Sequence, residues 1–368
     1  MRMAENRVDP LPPDAPELAR RGPHPAGVRT VSLQGAAGRG MVVELWYPAV
    51  AGAPAGGTHD TMLRDGATRI VLRGAACRDA PPAPGEWPLV ILSHGYPGNR
   101  HLMAHLGEAL AGHGFLVASP DHPGSTYADH GAFGETLLHR MDDVRAVADG
   151  LGAGRYAIIG YLMGGYGALV AGGAGIGPGA IARPDAPDPA AYARWQRPQV
   201  DARLAAILPI GPWGGQQGIW DAEGLSGLQV PMLMMAGSED TVSGYEMGMV
   251  RIFREARQSD RMLLTFKGAG HDAAAPILSP REAFIPSDRL RFLPAEHYCD
   301  PVWDTPRMNA VAQHCARAFL GLPLKGEAGM ARYLTGDWAG FQPGAAEGLG
   351  WEARAPDAQG ARTVQGAG

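Results

Sequence analysis

The chain has 368 residues, room for one large domain or two small ones, so length alone leaves the domain count open. Hydrophobic residues make up 45% of it and charged residues 19%, a balance that supports a buried core and excludes a disordered or fibrous chain. A formal charge of −5, with no basic patch interleaved with aromatics, argues against nucleic acid as a partner.

Residues 1–27 are polar and Pro-rich. They read as an N-terminal arm, neither a secretory signal nor a membrane span, since no apolar stretch lies within them. Nothing later approaches the roughly eighteen consecutive apolar residues of a span, so no membrane association is expected. Cys77, Cys299 and Cys315 are odd in number and far apart, which suits reduced thiols and a cytoplasmic location.

Two β-like runs, 28–33 and 41–47, follow the arm and predict an antiparallel hairpin at a sheet edge. From Trp87 the rhythm becomes strand, helix, strand. Residues 88–93, 115–119, 156–159, 204–210, 230–236 and 262–266 are short apolar runs. Between them lie segments with helical spacing, such as Leu102, Leu106 and Leu110, or Leu137, Met141 and Val144. This alternation predicts an α/β fold with a mostly parallel sheet and crossover helices on both faces. Residues 173–203 turn to Gly, Pro, Ala and Asp and read as an insertion, cap-like or a plain surface loop. A closing helix is expected over 308–320, ended by Gly321 and Pro323. The domain is drawn as 28–325, with 326–368 a C-terminal extension, docked through its aromatics and mobile at its end.

Parallel sheets gather ligands and catalysis at the carboxyl ends of their strands. Four such ends carry suggestive residues. Residues 156–168, YAIIGYLMGGYGA, run from a strand through Gly160, Leu162 and Gly164 into a helix, the G-x-?-x-G frame of a sharp strand-to-helix elbow. The frame ordinarily presents serine. Here the centre is Leu162, which has no atom to attack with and no proton to lose. His94-Gly95-Tyr96-Pro97-Gly98 follows another strand, and Gly95 permits a turn that brings the Tyr96 N–H beside the Met163 N–H, two donors able to receive an oxyanion. His94 itself reads as structural. Gly237-Ser238-Glu239-Asp240 ends a third strand, where Asp240 lies deeper in the turn than Glu239. His271 sits on the Gly-rich loop after the last strand, within reach of the elbow as a base.

The order elbow, acid, histidine, each after its own strand, resembles the α/β-hydrolases of the dienelactone hydrolase type, and the LWYP, HGYPG and FLVASPDHPG stretches are also similar to the platelet-activating-factor acetylhydrolases. The resemblance covers about 28–322 and implies an α/β-hydrolase fold. It makes Asp240 the acid, His271 the base, and Tyr96 and Met163 the oxyanion donors, with a small-molecule ester or lactone as substrate and no cofactor. At Leu162 the chain departs from the family, so turnover is expected to be impaired. A non-catalytic binding or sensing protein that keeps the pocket is the alternative, and proton abstraction by the Asp240–His271 dyad a third reading. Tyr161 is expected to point into the packing behind the elbow, with Ser238 and Thr241 confined to the acid's loop.

An apolar pocket is expected from Trp213, Trp220, Phe284, Phe292, Tyr298 and Trp303, part of them serving as core. No metal site is expected. His101 and His105 lie four apart on a helix but read as a solvated face, and His297 and Cys299 read as isolated.

Overall fold

The computed structural model describes residues 6–35, 38–131, 133–181 and 189–357. The chain opens with a 3-10 turn at Glu17–Ala19 and the hairpin β1 (Ala26–Gln34) and β2 (Gly40–Pro48), paired antiparallel as the sequence predicts. Next come β3 (Gly57–Met62) and β4 (Arg69–Gly74), a separate two-stranded sheet that the sequence reading does not contain, and the two-residue β5 (Cys77–Arg78). β4 alternates exposed and buried residues, the pattern of a sheet with one face on the core.

The central alternation is β6 (Leu89–Ser93), α1 (Ala104–Gly112), β7 (Leu116–Pro120), α2 (Phe133–Gly150), β8 (Tyr156–Tyr161) and α3 (Met163–Ala171). Two short helices, α4 (Pro178–Ile181) and α5 (Pro189–Gln196), precede β9 (Leu204–Ile210), α6 (Ala222–Ser226) and β10 (Met232–Gly237). A π-helical stretch (Tyr245–Val250) runs into α7 (Arg251–Glu255), followed by β11 (Arg261–Phe266), α8 (Thr305–Lys325) and β12 (Leu349–Arg354). Every residue of β6, β8, β9 and β10 is buried, which is why these strands read as continuous apolar runs rather than alternating ones.

The ten-stranded sheet has the order β12-β11-β10-β9-β8-β6-β7-β2-β1-β5. Pairing is parallel from β7 through β11, and antiparallel at β2–β7, β1–β2 and β11–β12. From β6 the chain steps outward to β7 and then returns across β6 to β8, so the strand order reverses beside β6. A crevice opens at such a point, beyond the strand ends. One core, with α1 and α8, covers one face of the sheet, and a second, with α2, α3 and α7, covers the other.

α8 is longer than the sequence reading. Asp304 caps it by accepting from Arg307 N, and Gly326 ends it at φ 67°. The extension then returns to the sheet and adds β12 along β11. The expected mobile end, 358–368, lies outside the described residues. The N-terminal arm also docks: Leu18 N donates to His314 Nδ1 of α8, and Glu17 N to Gly340 O. No helix among the described residues is long and apolar enough to cross a membrane.

The insertion over 173–203 is described in part, as α4, α5 and the turns around them. Within it Ile176 N donates to Trp195 O, Gly175 N to Gly224 O, and Trp195 Nε1 and Arg194 reach Leu138 O and Asp142 on α2. Residues 182–188 lie outside the described ones.

Candidate active site

The elbow is built from close backbone approach. A Cβ at Gly160 would stand 2.1 Å from Gly164 O, and one at Gly164 would stand 1.8 Å from Ser93 O, so both positions exclude any side chain. Between them Leu162 sits at φ 53°, ψ −110°, a region that costs a non-glycine residue about 1–3 kcal/mol. Hydrogen bonds hold it there: Leu162 N donates to Ile210 O at 3.1 Å, and Trp213 N donates to Leu162 O at 3.0 Å.

Those two bonds bracket Gly211 at the end of β9. Its Cα faces the Asp240–His271 pair, since a Cβ there would lie 3.4 Å from Asp240 Oδ2 and 3.5 Å from His271 Cε1. The elbow, the acid and the histidine therefore meet around one glycine. Asp240 is 4% exposed; its Oδ1 accepts from Val242 N and Ser243 N, and its Oδ2 lies 2.8 Å from His271 Nδ1. With the Nδ1 proton held by the carboxylate, the lone pair of the imidazole is at Nε2. That atom is buried and has no hydrogen-bond partner.

Tyr161 does not simply fill space behind the elbow. Its ring lies 5.2 Å from that of His271, and its hydroxyl donates to Asp272 Oδ1 at 2.9 Å. Burial pushes the Asp272 carboxyl up from its ordinary value, and burial followed by the nearness of Asp272 pushes the Tyr161 phenol well up. Beyond them Arg64 Nη1 meets His297 Nδ1 at 2.9 Å, and His297 Nε2 meets Tyr127 OH at 2.8 Å, so His297 is not isolated. Sequence reasoning missed Asp272, Arg64 and Tyr127, which come from separate loops and share no spacing. The proximity of Asp272 to His271 along the chain was the one available signal.

On the other side Gly95 lies against the elbow: a Cβ there would be 3.1 Å from Leu162 Cβ and Cδ2. Tyr96 follows, joined to Pro97 by a cis peptide bond. Met163 is the first residue of α3, where backbone N–H groups lack intrahelical acceptors. Arg140, wholly buried on α2, donates to His94 O at 2.7 Å and to Ser125 Oγ at 2.5 Å, fixing the base of this turn. His94 is structural, as expected, with its Nδ1 on Gly95 O and its Nε2 accepting from His122 N. Ser238 belongs to the loop, donating to Glu239 and accepting from Gly268 N.

The expected aromatic pocket is only partly present. Tyr96, Phe133 and Trp213 form a wall beside the elbow, with ring centroids 5.0 and 5.3 Å apart in edge-to-face contact. Trp220, Tyr298 and Trp303 are instead core residues: Trp220 packs on Tyr166, and Trp303 packs on Phe266 and donates to Lys267 O. Phe284 is 57% exposed, and Phe292 lies beneath the Arg64 guanidinium. A separate cleft of about 410 Å³ lies between the N-terminal arm and α1 and includes none of Leu162, Asp240 or His271.

The solvated-face reading of His101 and His105 is wrong. α1 is buried nearly all round, between the sheet and α8, so it has no solvated face there. His105 Nε2 bonds Ala275 O, while His101 faces Glu44 and His59 rather than His105.

A family model described as alpha/beta hydrolase fold matches residues 88–174, the stretch from β6 through the elbow and α3. The chain has the α/β-hydrolase fold. A solved structure of a ferulic acid esterase from Streptomyces cinnamoneus superposes on this chain with a TM-score of 0.62, covering 95% of it and 99% of the esterase at 19% identity. Among curated proteins, the cutinase est2 of Thermobifida alba is 27% identical over 191 residues. That match spans 50% of this chain and about half, 52%, of the relative.

Proposed function

We propose that this α/β-hydrolase is a carboxylic ester hydrolase by descent in which Leu162 occupies the nucleophile position, leaving the rest of the machinery assembled and the protein impaired in turnover as it stands. Asp240 orients His271, His271 Nε2 is the base that would take the proton of an attacking hydroxyl, and the N–H groups of Tyr96 and Met163 receive the oxyanion. The observation that carries this reading is the backbone of Leu162. A leucine is held in a strained conformation whose ordinary use is to lift a nucleophile above the sheet, beside a histidine with an unpartnered nitrogen.

The names of the two relatives, a cutinase and a ferulic acid esterase, favour esters as the substrate class over the lactones of the dienelactone hydrolase type. Losing the nucleophile of a triad costs about six powers of ten in turnover. The test is hydrolysis of a short-chain chromogenic ester by the unmodified chain and by Leu162→Ser. Turnover by the revertant alone is expected. A folded Leu162→Ser that hydrolyses no ester overturns the reading.

A second reading is favoured by one contact. The Leu162 side chain packs on Gly95, next to the Tyr96–Phe133–Trp213 wall, and gives the crevice an apolar floor. On this reading the crevice holds a small apolar ester or acid without cleaving it. Saturable binding by the unmodified chain, weakened in Leu162→Ser, would support it.

A further inference from the structure

Away from the elbow, three potential metal ligands from three separate elements converge in the interior. Glu44 on β2 is wholly buried, His59 on β3 is 1% exposed, and His101 in the turn before α1 is 2% exposed. Glu44 Oε1 is 3.3 Å from His59 Nδ1, Glu44 Oε2 is 3.7 Å from His101 Nε2, and one donor atom from each lies within 4.8 Å of the others. Ligands bound at zinc's usual lengths in a tetrahedron stand roughly 3.4 Å apart. The pairs on Glu44 already sit near that spacing.

A second observation concerns the far side of His59. Its Nε2 is buried without a hydrogen-bond partner and lies 3.9 Å from Glu108 Oε1, which is also buried and unpartnered. A histidine ligating through Nδ1 presents its Nε2–H outward, and a carboxylate is the acceptor that commonly receives it.

The place between Glu44 and His59 is taken by Arg78, with Nη1 2.7 Å from Glu44 Oε1 and Nη2 2.9 Å from His59 Nδ1. A guanidinium there supplies positive charge where a cation would. Arg78 lies on the two-residue β5 at the sheet margin, and 33% of its side chain is exposed, so it has a path outward. Arg100 remains in either case, 3.5 Å from Glu44 Oε2 and paired with Asp121. With Arg78 swung out and a divalent ion in its place, the carboxylates of Glu44, Glu108 and Asp121 face one guanidinium and two metal charges, and the local charge closes.

We propose that Glu44, His59 and His101 form a structural zinc site in which the ion displaces Arg78, a water completes the coordination, and Glu108 accepts the Nε2–H of His59. Two imidazoles and a carboxylate are a donor set that suits Zn²⁺. The ion ties the β3–β4 hairpin to the central sheet and to the entry of α1.

The test uses the full chain, stripped with a chelator and then titrated with Zn²⁺ against a chromophoric competitor, and separately with Co²⁺ read by its visible spectrum. One equivalent of Zn²⁺ is expected, with the intense visible bands of four-coordinate Co²⁺. Binding should be lost in His59→Ala and His101→Ala and weakened about tenfold or more in Glu108→Gln. Arg78→Ala is the discriminating variant: it removes the competing cation and should tighten Zn²⁺ binding, whereas the loss of a merely structural ion pair would not. Should the alanine variants fail to fold, His59→Gln and His101→Gln keep the ring's volume and one polar atom and serve in their place. Absence of stoichiometric binding by both the unmodified chain and Arg78→Ala overturns the proposal, as does binding that persists in the histidine variants.

Discussion

His271 Nδ1 lies 2.8 Å from Asp240 Oδ2, while Nε2 on the opposite side of the same ring is buried and bonded to nothing. Holding one nitrogen and leaving the other open is what a general base requires, and it is an uncompensated arrangement in a chain with no hydroxyl at Leu162. In a Leu162→Ser background, His271→Ala is therefore expected to lower kcat by about 10⁶ and Asp240→Asn by about 10⁴, the latter through loss of the correct tautomer. Steady-state kinetics on a short-chain ester checks both. An Asp240→Asn loss of less than tenfold would remove Asp240 from the role assigned to it.

The elbow makes an opposite prediction for stability. Leu162→Gly relieves a strain of about 1–3 kcal/mol and gives up only a half-buried side chain, so unfolding free energy should hold or rise by about 1 kcal/mol. The same change at Leu169, fully buried in α3, should cost more than about 3 kcal/mol from the cavity and the helix propensity together. Urea midpoints of the two variants, measured side by side, separate backbone strain from packing. A Leu162→Gly loss as large as that at Leu169 would mean that the elbow stores no strain.

The parallel core of the fold was legible because its strands are buried on both faces and read as unbroken apolar runs, as in LAAILPI and VPMLMMA. The four strand ends were legible for a related reason: glycine is forced wherever backbone meets backbone, as at Gly160 and Gly164. What stayed hidden depended on distance in three dimensions. His59 and Glu44 are 15 residues apart on different sheets, and the β3–β4 hairpin is too short and too polar to announce itself. His101 and His105 looked solvated because helical spacing says which residues share a face and nothing of what covers that face.

Ser93, His122 and Asp143 form a second serine–histidine–aspartate arrangement in space, with Ser93 Oγ 3.0 Å from His122 Nε2 and His122 Nδ1 3.3 Å from Asp143 Oδ2. All three are at most 1% exposed, beneath the turn that Arg140 anchors, so no substrate carbonyl reaches the hydroxyl. Ser93→Ala should cost about 1 kcal/mol of stability and leave the ester activity of Leu162→Ser within about tenfold. Abolished activity would instead name Ser93 as the attacking group. Arg140→Met, which takes the donor from His94 O and Ser125 Oγ in the interior, should cost about 2–3 kcal/mol in the same denaturation assay.

Mild acid should weaken the protein through its buried histidines. His105, enclosed between α1 and α8, is pushed down by burial to about 4, and burial drives His94, His122 and His297 well below the usual histidine value. A depressed imidazole binds fewer protons folded than unfolded, so stability is complete above the unfolded value of about 6.5 and falls as pH drops toward the folded one. For His105 alone the full interval amounts to roughly 3 kcal/mol. His59 acts in the opposite sense, since Glu108 and Glu44 outweigh its burial and raise it, but it is one group against seven, His101, His113 and His314 being lowered by burial as well. Carboxylates such as Asp201, lowered to about 2 chiefly by Arg203, contribute at still lower pH, and Asp272, raised by burial, acts in the opposite sense, so a midpoint that falls from about pH 7.5 to about 5 reports the histidines. Urea unfolding across it should show a midpoint that falls steadily with acid, and His105→Gln should flatten that slope. A midpoint that does not move would mean that these imidazoles gain their protons as readily in the folded chain as in the unfolded one.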